Sequence, residues 1–250
     1  MNEKKLCYSM ICTGNSKTIM ARTLLFYEIL STLTKNDVWI LTDNFETKNV
    51  LEEVYEKKLN VYVPKNLSKY SFSGELFEGR RYPNIYLKFA SYELKKFGYT
   101  HCVVFDSDFI YGNKNLLKEF KCCEKEFLML RKKEICCQKY RPGDSSDDSR
   151  IYTAGCIGFN IEIDISDDIL KLNNGLVEEY ALSKYSEKNN IFEIPLGLVA
   201  NIPNAKKFCI FFHTGSKLYY SALSTSMPEE FLKYKNYLEK ININGCMRLF

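Results

Sequence analysis

No run of apolar residues in this chain reaches the roughly 18 that a membrane-crossing helix needs, and mean hydropathy is only -0.27. The opening MNEKKLCYSMIC is too short and too polar for a secretory signal. A cytosolic, reducing location is therefore expected. A strong basic excess is also missing: the formal charge is +4 over 250 residues. That argues against nucleic acid, whose binders concentrate Lys and Arg on one face. It suits a small anionic molecule, or weak attraction to an acidic membrane surface. The ten cysteines lack the C-x2-C spacing of a zinc ribbon. The adjacent pairs Cys122-Cys123 and Cys136-Cys137 point their thiols apart, and most of the others sit in apolar runs, as reduced buried thiols do. Histidine is scarce, with two in the chain. There is no internal repeat and no interdomain linker.

What is present is alternation. KLCYSMIC (5–12), DVWILT (37–42), NVYV (60–63) and THCVVF (100–105) read as strands. Between them, 16–34 carries Met20, Leu24, Tyr27 and Leu30 at helical spacing. The stretch after Asn44 aligns Leu51, Val54 and Tyr55, and 82–98 turns Ile85, Phe89 and Tyr92 inward with Gly98 just past its end. Such alternation predicts an α/β domain with a mostly parallel sheet. In the second half, EKEFLMLR (124–131) reads as a strand and 138–152 as a polar loop able to act as a lid. AGCIGFNI (154–161) is a small, apolar segment suited to close backbone approach. KKFCIFFH is a strand that ends at His213, and PEEFLKYKNYLEKI is a helix opened by Pro228.

Ligands of parallel α/β sheets bind beyond the carboxyl ends of the strands. TGNS (13–16), TDN (42–44) and Asp106-Ser107-Asp108 all stand at such ends. Two carboxylates one residue apart repel each other unless a cation lies between them or the chain turns them to water. Held together, they offer hard oxygen ligands to Mg2+ or Mn2+, which keeps open positions for a diphosphate. His213 could add a nitrogen ligand, and Lys217 could neutralise a departing phosphate. Two other readings stay open. The aspartates could simply cap a turn. VVFDSD also resembles the first motif of haloacid-dehalogenase phosphotransferases, although that motif belongs on a first strand.

Several motifs, in this order, resemble glycosyltransferases of the GT-A fold, particularly the family 8 type that includes glycogenin and the lipopolysaccharide galactosyltransferases. They are YLKFASYEL, VVFDSDFIYGNKNLLKEF, AGCIGFN and FFHTGSKLYY. The resemblance implies a single GT-A-type domain with a Rossmann-like, mostly parallel sheet. Residues 1–112 would be its nucleotide-binding half and 113–250 its acceptor-side half. It implies Mn2+ or Mg2+ held by Asp106, Asp108 and His213, with Thr13, Gly14, Asp43, Lys88, Ser107, Gly215 and Lys217 at the donor and Asn160 and Glu193 near the sugar. The donor would be a nucleotide-sugar, a UDP-sugar for preference, and the acceptor a hydroxyl of a glycan or lipid-linked glycan. Configuration at the sugar would be retained. A basic, aromatic C-terminal helix would allow contact with a membrane surface. The alternatives are the phosphatase and an inactive protein that keeps the nucleotide pocket.

Overall fold

The computed structural model describes residues 3–70, 85–140, 151–172, 178–195, 197–200, 203–215 and 218–247. In chain order the first half runs β1 (Leu6–Cys12), α1 (Lys17–Leu33), β2 (Asp37–Thr42), α2 (Phe45–Val54), β3 (Val61–Tyr62), a 310 helix (Ile85–Phe97), β4 (His101–Phe105) and β5 (Phe109–Tyr111). The second half runs α3 (Phe120–Phe127), β6 (Ile135–Lys139), β7 (Tyr152–Asn160), α4 (Ser166–Leu170), α5 (Glu178–Ser186), β8 (Ile191–Glu193), β9 (Val199–Ala200), β10 (Phe211–His213), α6 (Tyr219–Ser226) and α7 (Pro228–Met247).

A seven-stranded sheet in the order β3-β2-β1-β4-β7-β6-β8 forms the centre, and a three-stranded sheet β5-β10-β9 stands beside it. Pairing is parallel from β3 through β4 and again between β6 and β8. β7 is antiparallel to both of its neighbours, so it alone runs against the rest. The mixed α/β fold with helices on both faces is the one the alternation predicts.

The two faces follow from the period of two along each strand. Tyr8, Met10, Val103, Phe105 and Cys156 point into one core with Leu24, Phe26 and Leu30 of α1 and Tyr234 of α7. Cys7, Cys102, Val104, Ile157 and Phe159 point into the other, where Phe89, Tyr92, Ile169 and Leu182 cover them. Phe26, Phe105, Phe109 and Phe211 pack ring against ring at 5.4–5.8 Å and tie the small sheet to the large one.

Two expected elements differ. The strand expected over 124–131 is the end of α3 and the turn after it. Phe120, Cys123 and Phe127 are buried at helical spacing, a period visible only when the window starts before 124. The segment 82–98 winds, where described, as a 310 helix. Gly98 follows it at φ +90°, a conformation that suits glycine. The polar loop over 138–152 is shorter than expected, because Gln138 and Lys139 pair with Thr153 and Tyr152. Its interior, 141–150, lies outside the described residues. Cys122 and Cys123 lie on α3, and Cys136 and Cys137 on β6. Among the described residues no helix is long and apolar enough to cross a membrane.

Candidate functional site

β4 ends at Phe105, and the chain then turns through Asp106, Ser107 and Asp108 into β5. Three backbone contacts fix that turn. The Asp106 N–H donates to the Gly155 carbonyl on β7 at 2.8 Å. The Asp108 carbonyl accepts from the Thr214 N–H at 3.1 Å and from its hydroxyl at 2.8 Å. Phe109 faces His213 in the antiparallel β5–β10 pair. His213 is thus carried to the aspartates across a separation of 105 residues, with Nε2 at 2.9 Å from Asp108 Oδ1 and 3.9 Å from Asp106 Oδ2. One ligating atom from each of Asp106, Asp108 and His213 falls within 4.8 Å of the others. Two carboxylates and one imidazole so converged are a donor set able to hold a divalent metal ion.

Lys88 lies beneath this group. It is 2% exposed, and its Nζ donates to Asp106 at 2.9 Å, to Glu178 at 2.8 Å and to the Ala154 carbonyl at 2.7 Å. Burial works against its charge, but Asp106 and Glu178 outweigh it and hold the ammonium well above the usual lysine pKa. Burial also raises the carboxyls. Asp106 stays raised despite Lys88, with Asp108 adding to the effect. Glu178 is pushed up to about 7. Asp108 goes the other way: burial opposes its charge, but His213 and Arg22 dominate and hold it far below the carboxylate range. Burial lowers His213, and the two aspartates more than restore it, so its pKa is raised.

Several residues expected on the nucleotide side lie at the same sheet edge. The ends of β1, β2 and β4 lie side by side at one edge. Gly14, at φ +66°, donates its N–H to both oxygens of Asp43 at 3.0 Å. The Gly14 N–H and the Asp43 carboxylate thus tie the ends of β1 and β2 together. Asn44, the next residue, caps α2 by accepting from the Thr47 N–H at 2.6 Å. Thr13 is half-buried at the same turn. Ser107 is buried, and its hydroxyl accepts from Arg22 Nε at 3.0 Å. Gly215 has φ +66° just after Thr214, and Lys217 lies outside the described residues.

Two expected sugar-side residues are not brought to the cluster. Asn160 pairs with His101 at the start of β4, the end opposite Asp106. There its amide donates to the Leu130 carbonyl at 3.0 Å. β7 runs antiparallel, so its closing residue reaches the wrong edge. Glu193 ends β8, an outer strand separated from β4 by β6 and β7. At about 4.8 Å per strand it stands some 14 Å away, exposed beside Ile194 and Pro195.

Sequence reasoning missed three residues at the site. Arg22 is half-buried on α1, and its approach to Ser107 needs the tertiary fold. Glu178 and Glu179 open α5. Glu179 Oε1 accepts from the Tyr140 hydroxyl at 3.0 Å and the Ala154 N–H at 3.3 Å. The adjacent pair of acids was visible in the sequence, but nothing there announced that Glu178 would be buried.

No protein-family model and no curated protein matches the chain. Solved structures do. The galactosyltransferase LgtC, crystallised with donor and acceptor sugar analogues, superposes at TM-score 0.56 with 8% identity, over 91% of this chain and 94% of that one. The glycosyltransferase GlyE of Streptococcus pneumoniae TIGR4, in its apo form, gives 0.53 with 12% identity, over 96% of this chain and 62% of that one. The fold is that of GT-A glycosyltransferases. In the GT-A framework of this chain the Asp106–Asp108–His213 cluster lies at the carboxyl end of the central strands, beyond which ligands of such sheets bind. Mouse xyloside xylosyltransferase 1 also matches, at 0.49 with 12% identity over 86% of this chain and 98% of that one.

Proposed function

We propose that this protein is a metal-dependent glycosyltransferase that moves a sugar from a nucleotide-sugar, a UDP-sugar for preference, to a hydroxyl acceptor. The observation that carries the reading is the convergence of Asp106, Asp108 and His213 at the carboxyl edge of a GT-A sheet. The order of the motifs favours the family 8 type within that fold, and with it retention at the sugar. The GlyE and LgtC matches support sugar transfer as the class of reaction.

Asp106, Asp108 and His213 would hold Mn2+ or Mg2+, which supplies positive charge to a leaving diphosphate. Lys88 acts from below. It anchors Asp106 and keeps the buried carboxylates compensated, rather than reaching a donor directly. Arg22 fixes Ser107 and adds a second positive charge beside Asp108. Such preset charges stabilise a developing anion without reorganisation. Thr13 and the Gly14–Asp43 turn would meet the nucleoside, and Gly215 the diphosphate. Residues 1–112 then form the donor half and 113–250 the acceptor half, with a glycan or lipid-linked glycan as acceptor. Exposed Leu232 and Lys235 on α7 leave contact with a membrane surface open to the acceptor side.

Calorimetric titration with UDP, with and without Mn2+, tests the reading on wild type and on Asp106→Asn/Asp108→Asn. Metal-dependent binding that the double variant loses is the expected result. No UDP binding by wild type in either condition would sink the UDP-sugar reading. Hydrolysis of p-nitrophenyl phosphate would instead revive the dehalogenase-type alternative, which gives His213 no role. UDP binding without release from any UDP-sugar would leave an inactive nucleotide-binding protein.

A further inference from the structure

His213 is held at three points, and one of them is a glycine. Its Nε2 meets Asp108. Its ring stacks on Phe109, with centroids 4.8 Å apart and planes 21° from parallel. The third wall is the backbone of β7. A Cβ built on Gly155 would lie 3.0 Å from both Cε1 and Nδ1 of His213 and 3.5 Å from Cγ. Those distances put it over the face of the imidazole, tighter than nearly all side-chain contacts. Gly155 is not a turn glycine: its φ is not positive, and it sits within a regular strand. It also accepts the Asp106 N–H through its carbonyl at 2.8 Å. One residue therefore touches two of the three candidate ligands, and Phe109 follows directly on the third.

We infer that Gly155 and Phe109 form a clamp that sets the His213 imidazole against Asp106 and Asp108, making them positioning residues for the metal. The inference rests on the metal reading of the site. It goes beyond it by assigning the spacing of the ligands to a small residue on β7 and an aromatic on β5. A methyl group at position 155 makes the imidazole give by a few tenths of an ångström, which disturbs its seat on the Phe109 ring and its approach to the Asp108 carboxylate. Groups that orient metal ligands characteristically contribute about 10–100-fold in metal affinity.

The test uses Mn2+ alone, titrated into wild type, Gly155→Ala, Phe109→Leu, His213→Ala and Gly155→Ala/His213→Ala, with free Mn2+ read by electron paramagnetic resonance. The chain has only two histidines, so each imidazole is also followed by NMR in metal-free protein. His101, at the far end of β4, serves as the internal control. Gly155→Ala should weaken Mn2+ binding about tenfold and move the His213 signal while leaving that of His101 in place. In the His213→Ala background the same change should alter affinity no more than about twofold, because the group it acts through is gone. Phe109→Leu opens the other wall without overpacking. It should weaken Mn2+ by up to the same factor of about ten, and it keeps the test alive if Gly155→Ala fails to fold. Unchanged affinity in both clamp variants, or an equal loss with and without His213, overturns the clamp while leaving the metal site standing. Failure of wild type to bind Mn2+ overturns the metal reading itself, and the clamp with it.

Discussion

Replacing Lys88 by Met removes an ammonium that lies between Asp106 and the buried Glu178. The side chain is 2% exposed, Glu178 is 6% exposed and Asp106 is 24% exposed. Glu178 has no retreat: its Oε2 is already buried without a hydrogen-bond partner among the described residues. Asp106 stands at the rim and can turn toward water. Breaking a buried pair by deleting one partner costs about 3–5 kcal/mol, and the mobility of Asp106 sets the expectation near 3. For a chain of this size that is roughly 6–12 °C in Tm. The cost depends on pH in a definite direction. With the lysine present Glu178 titrates near 7. Without it, both carboxyls rise further. A carboxyl whose folded pKa is raised holds its proton longer in the folded state, so stability falls as pH rises through the window above its unfolded value. The penalty is therefore larger at pH 8 than near pH 5, where Glu178 is neutral. Thermal melts of wild type and Lys88→Met at the two pH values, in EDTA so that no cation replaces the ammonium, measure it directly. A penalty equal at pH 5 and pH 8, or absent at pH 8, would refute the account of Lys88 as charge compensation.

Other consequences are independent of that one. Glu178→Gln keeps an acceptor for Lys88 but cannot ionise. The fall in wild-type stability between about pH 4.5 and 8, worth about 3 kcal/mol from this group, should be missing in urea melts of the variant, and an unchanged slope would assign it elsewhere. Asn44→Ala removes the cap on α2 and should cost about 1 kcal/mol in denaturant unfolding, with Gly at the same position costing only a few tenths. Phe211→Ala, at the junction of the two sheets, should cost about 3–5 kcal/mol. It should also loosen β10, so that Mn2+ affinity falls together with stability.

The site was legible to the extent that its chemistry is local. Asp106 and Asp108 are announced by an apolar strand that stops at two acids. α3 was misread because its period straddles the turn at 128–131, where Leu128 and Leu130 continue the apolar run. Lys88 was read as meeting the donor. Its position in the sequence does not disclose that Glu178, 90 residues away, joins Asp106 to draw it under the sheet edge.

The sequence by itself determined the layers: period-two runs bury both faces of the sheet, and period-3.6 runs supply the helices that cover it. Strand direction was left to the tertiary structure. A strand's side-chain pattern reads the same whichever way the strand runs, while its polar ends exchange edges. Because β7 enters against its neighbours, Gly155 near its start arrives beside Asp106 and His213, and Asn160 at its end is carried to the far edge beside His101. The cluster that could hold a metal exists because β10 pairs antiparallel with β5, a contact between segments far apart in the sequence. No local propensity encodes it; the burial of Phe109 and Phe211 in the shared core decides it.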